Sequence, residues 1–95
     1  MIVKGTTKSG IKFQLDSKIK DDTRLVYLLT QGKNAKDQMD ASEAVMKLIK
    51  LIFGSDENTM AFMDEVANMH KGVCDVKSMM SELMEMLNAI EAKNC

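Results

Sequence analysis

Hydrophobic and polar residues alternate strictly from residue 11 to 16, with Ile11, Phe13 and Leu15 on one side and Lys12, Gln14 and Asp16 on the other. That period of two belongs to a strand with one face in a core. Upstream, residues 2–7 (Ile-Val-Lys-Gly-Thr-Thr) are mostly β-favouring, and Lys8-Ser9-Gly10 offers a turn whose glycine can take positive φ. The pattern predicts an N-terminal β-hairpin with strands 2–7 and 11–16. Two strands are marginal alone, so the Ile11/Phe13/Leu15 face must pack on something else.

After residue 20 the period changes to that of helices. Asp21 or Asp22 can cap a first helix, 21–31, carrying Leu25, Val26, Leu28 and Leu29 and ended by Gly32. Residues 32–39 are polar and aperiodic and read as a loop. Asp40 stands three before Glu43, a capping-box spacing. It opens a helix, 41–53, with Ala41, Ala44, Val45, Leu48, Ile49 and Ile52 on one face and Gly54 as its stop. Ser55 begins a third helix, 56–71, whose inner face should carry Met60, Met63, Val66 and Ala67 up to Gly72. Asp75 caps the last, 76–92.

These elements predict a single α+β domain over 1–95, a hairpin part (1–18) packed on a helical part of four helices (19–95). The expected core is Phe13, Leu15, Leu25, Leu28, Val45, Leu48, Ile49, Ile52, Val66, Leu83 and Leu87. The last helix is unusual. At about 100° per residue, its apolar side chains from Val76 to Ile90 cover an arc of roughly 160°, wide for a helix on a small domain. Part of that arc, with Met79, Met80, Leu83, Met84 and Leu87, is the candidate partner-binding surface.

Composition sharpens this. The chain has ten Met and no Pro or Trp, so helices run unbroken and large aromatic anchors are missing. Met fills irregular core gaps and also lines surfaces that adapt to several partner shapes. Net charge is only -1, which disfavours wholesale binding to nucleic acid or anionic membrane. The charge is nonetheless segregated, with eight basic residues and three acids in 1–36 against five and eleven in 37–95. A basic hairpin end facing the acidic end of a neighbour would permit a homo-oligomer.

Chemistry has little foothold. His70 stands four before Cys74, and with Asp75 and Cys95 these are the only conceivable metal ligands, but Gly72 should break the helix between the first two. A Cys–His nucleophilic pair lacks a third group to orient the base. The carboxylates, including Asp21, Asp40, Asp56, Asp75, Glu82 and Glu85, fall where caps and solvated faces want them. No glycine-rich phosphate loop or EF-hand spacing occurs. We therefore expect no enzyme, no cofactor and no metal site. Two cysteines form no disulfide framework, the opening Met-Ile-Val-Lys-Gly is no signal peptide, and no apolar run approaches the ~20 residues of a membrane span. A cytoplasmic protein is the expectation.

The order of segments resembles the small tail assembly chaperones encoded in tail modules of long-tailed bacteriophages and prophages of Gram-positive bacteria. The matching pieces are Ser9-Gly10-Ile11-Lys12-Phe13-Gln14-Leu15-Asp16 and Asp21-Asp22-Thr23-Arg24-Leu25-Val26-Tyr27-Leu28-Leu29. Ala44-Val45-Met46-Lys47-Leu48-Ile49, then Phe53-Gly54-Ser55-Asp56-Glu57, and finally Glu91-Ala92-Lys93-Asn94-Cys95 continue the likeness. The resemblance implies a non-enzymatic factor that binds the helical tape measure protein in the host cytoplasm. It would help recruit tail tube protein and be absent from the mature virion. It also implies that a frameshift near Lys93-Asn94-Cys95 can append a second domain. The alternative from a different class is a small intracellular helix-binding adaptor with one defined partner.

Overall fold

The structure, a computed structural model, describes residues 1–94, with side chains through Glu91. Strands β1 (Ile2–Thr6) and β2 (Lys12–Asp16) pair antiparallel, with Val3 opposite Leu15 and Gly5 opposite Phe13. These pairs share the inward face, as the alternation predicts. Gly5 has a steric reason to be glycine: the Phe13 ring covers it, and a Cβ there would lie 2.7 Å from Phe13 Cζ. In the connecting turn the Thr7 amide donates to the Ile11 carbonyl at 2.9 Å, and Gly10 adopts φ +107°.

A 3-10 turn over Ser17–Asp21, absent from the expected elements, leads from the hairpin into the helices. The Asp16 carboxylate accepts from the Lys18 amide and so opens it. Four helices follow: α1 (Thr23–Lys33), α2 (Gln38–Phe53), α3 (Asp56–Met69) and α4 (Val76–Asn94). The α+β architecture of hairpin plus four helices is the expected one.

The boundaries differ informatively. Asp22, Ser55 and Asp75 receive amide hydrogen bonds as N-caps, from Arg24, Asn58 and Ser78. Gly32, however, does not stop α1. It lies inside the last turn, where a Cβ would sit in ordinary contact, 3.9 Å, with the Ala44 methyl of α2. The cap of α2 is Asp37, whose Oδ1 accepts from the Asp40 amide at 2.8 Å. Asp40 instead sits in the first turn, where the helix dipole favours a carboxylate. The expected loop 32–39 thus shrinks to residues 34–37. At the end of α3, Lys71 (φ 62°) and Gly72 (φ 85°) turn left-handed, and the Gly72 amide closes on the Ala67 carbonyl at 2.7 Å.

One core cluster draws on the hairpin and all four helices, and α4 is its hub, touching β1, the 3-10 turn, α2 and α3. Leu48, Ile49, Val66, Leu83 and Ile90 are almost wholly shielded. Of the expected core, Leu28, Ile52 and Leu87 are only half-buried, while Val3, Ile11, Phe62, Met79, Met86 and Ile90 join it. On α3 the buried face is Thr59, Phe62 and Val66, with Met63 at its edge and Met60 turned to solvent. Phe62 stacks on Phe53, ring centroids 4.9 Å apart, which sets that phase. No helix among the described residues is long and apolar enough to cross a membrane.

Candidate functional site

Two places gather side chains with chemical potential. The first joins the hairpin turn to α4. Glu82, expected on a solvated face, is buried at 3% exposure. Its Oε2 accepts from Ser9 Oγ at 2.7 Å and lies 3.0 Å from His70 Nε2. One turn further along α4, Glu85 Oε1 accepts from the Lys8 amide at 2.9 Å. Thr7 Oγ1 accepts from the Ile11 amide and lies 3.1 Å from Ser9 Oγ. Burial pushes the Glu82 carboxyl up, but the hydroxyls of Thr7 and Ser9 and the His70 imidazole around it outweigh that and hold the group below the usual carboxylate range.

Serine, histidine and a carboxylate are the parts of a nucleophilic triad, but their order here is wrong. In a triad the imidazole stands between hydroxyl and acid, ready to take the hydroxyl proton. Here the carboxylate stands in the middle, and Ser9 and His70 both address its Oε2. The serine proton is committed to an acid held in its charged form. This cluster is a polar staple that fixes the turn on α4.

Cys74 and His70 do not form a pair either, since the imidazole turns to Glu82. Burial, then the nearby Asp75 and Asp64 carboxylates, push the Cys74 thiol up, the reverse of an activated nucleophile. Among the described residues no three His, Cys, Asp or Glu side chains converge to hold a metal ion. Cys95 lies outside the described residues.

The second place is an apolar groove of about 490 Å³ between α1, the start of α2 and α4. Val26 and Leu29 line it from α1, Ala41 and Val45 from α2, and Val76, Met80 and Met84 from α4. Its origin lies in packing. α1 leans on α2 and on the 3-10 turn without a comparable contact to α4, and Gly32 and Ala41 bring too little side chain to fill the gap. Val26 and Met84 remain 58% and 39% exposed. The volume falls within the range of ligand pockets, roughly 300–1,000 Å³, but a small-molecule site also needs convergent polar groups to orient its ligand. Thr30 and Lys33 are the polar side chains of this lining. The groove suits apolar side chains presented by another helix.

The candidate surface on the last helix divides accordingly. Met80 and Met84 line the groove. Met79 and Leu83 point the other way and belong to the core, so they hold the fold and offer nothing to a partner. Leu87 is half-buried against that core and outside the groove lining. Sequence reasoning did not assign Val26, Leu29 and Ala41 to this surface. The signal was the run Leu25-Val26-Tyr27-Leu28-Leu29, too continuously apolar for one buried helix face.

No family model, curated protein or solved structure matches the chain.

Proposed function

We propose that this protein is a non-enzymatic assembly chaperone that holds amphipathic segments of the tape measure protein of a long-tailed phage or prophage in its α1/α2/α4 groove. In this reading it acts in the host cytoplasm, keeps the client soluble until tail tube protein assembles around it, and does not remain in the virion. The observation that carries the reading is the open groove with Met80 and Met84 on one wall. Unbranched thioethers repack against differing side chains, which a client gripped at many non-identical helical segments requires. The order of segments that resembles the tail assembly chaperones supplies the client's identity.

Co-expression with a tape measure protein of a long-tailed phage of Gram-positive bacteria, followed by pull-down, tests it. Wild type is expected to retain the client in soluble form. Met80→Asp and Met84→Asp are expected to keep the fold and lose the client, because a carboxylate in a desolvated contact is costly. Failure of wild type to capture or solubilise the client overturns the reading. A folded Met84→Asp protein that binds as well as wild type removes the groove from it.

A further inference from the structure

The apolar groove carries charge of one sign. Lys33 is the charged side chain of its lining, and its ammonium makes no ion pair among the described residues. α1 bears no acid, and its other cation, Arg24, is already bound to Asp22. The acids nearest this end in the chain are Asp37, Asp40 and Asp75; Asp37 and Asp75 cap helices through the amides of Asp40 and Ser78 at 2.8 and 2.7 Å, and none of the three pairs with Lys33. Lys77 follows Val76 at the same end of α4 and is exposed. A docked helix therefore meets an apolar floor and an ammonium without an ion-pair partner at one end.

Resting on the reading of this groove as a helix-binding surface, we infer that it selects amphipathic helices bearing a carboxylate beside the end of the apolar stripe that lies over Lys33. Apolar contact supplies affinity, and the charge sets polarity and register. A helix with lysine at that position, or one docked in reverse, places like charges together or leaves Lys33 unanswered. For a client gripped at many sites, one fixed polarity orients every copy of the chaperone the same way along it.

Two labelled helical peptides with the same leucine stripe, one with Glu and one with Lys flanking its end, provide the probe. By fluorescence anisotropy the Glu peptide should bind about two- to fivefold tighter, the range of a partly exposed ion pair. The ratio should shrink at high ionic strength. Lys33→Gln should abolish it and Lys33→Glu reverse it, whereas Lys50→Glu, altered outside the groove, should leave it unchanged. Equal affinities, a preference indifferent to residue 33, or no binding of either peptide overturns the inference. Light scattering that shows the groove closed by a second copy, displaced by neither peptide, overturns it too. Running the tape measure pull-down in parallel separates the two failures. A captured client without charge preference defeats this inference alone, and no client with no peptide defeats the groove reading itself.

Discussion

His70 Nε2 lies 3.0 Å from Glu82 Oε2, across the junction of α3 and α4, on the same oxygen that takes the Ser9 hydroxyl. Three distant stretches of chain thus meet on one carboxylate. Its other oxygen, Oε1, is buried without a hydrogen-bond partner. The site is therefore one whose energy depends on charge rather than on packing alone.

Glu82→Gln keeps the shape and removes the charge, so it should expose that dependence. The native carboxyl lies below its usual range, and as pH falls the unfolded chain takes up this proton first. The stability it contributes is complete above the unfolded value of about 4.3 and is lost as pH falls toward the native one. Urea unfolding should show wild type more stable than the variant at neutral pH, with the gap narrowing below about pH 4.3. A gap that stays constant into strong acid would remove the charge from the account.

Gly5→Ala should cost about 1–3 kcal/mol, the usual range for overpacking. The added methyl falls on the Phe13 ring, which must move off the face it shares with Val3 and Leu15. Chemical denaturation measures the cost, and Phe13 ring shifts locate it. A neutral substitution would mean the ring slides aside freely.

Neighbouring residues on α4 should respond in opposite ways. Leu83→Ala opens a cavity at a wholly buried site and should cost about 2–5 kcal/mol. Met84→Ala, on the groove wall, should cost under about 1 kcal/mol. Similar losses at both positions would place the groove face inside the core.

The caps offer a third comparison. Asp37→Ala should destabilise by about 0.5–2 kcal/mol through loss of the Asp40 amide's acceptor. Asp40→Ala should cost less, about 0.3–1 kcal/mol, from the dipole. The reverse ranking, by thermal or urea unfolding, would return the cap to Asp40.

Much of this fold is written locally. The 11–16 alternation specifies which strand face is buried, and Asp22, Ser55 and Asp75 announce their helices, because strand pleat and cap geometry are short-range. What was illegible is tertiary. Nothing local distinguishes Gly32 inside a last turn from Gly32 as a stop, and α1 runs through it to Lys33 with Asn34 as the cap. Glu82 reads as a surface acid until the hairpin turn brings Ser9 onto it from 73 residues away. The same holds for the groove. A wide apolar arc on the last helix is visible in one dimension, but which edge is roofed depends on where α1 leans.

The staple at the hairpin turn also bears on how the chain is made. Lys8 and Ser9 leave the ribosome first, yet their partners Glu85 and Glu82 come 77 and 73 positions later. The hairpin is therefore born without the surface it sits on, and long-range closure of this kind slows folding. Nascent chains halted before Glu82 has emerged should remain open to protease at residues 1–16, and protection should arrive abruptly once α4 is out. Until then the Phe13 face is exposed, so the time of greatest aggregation risk falls during synthesis.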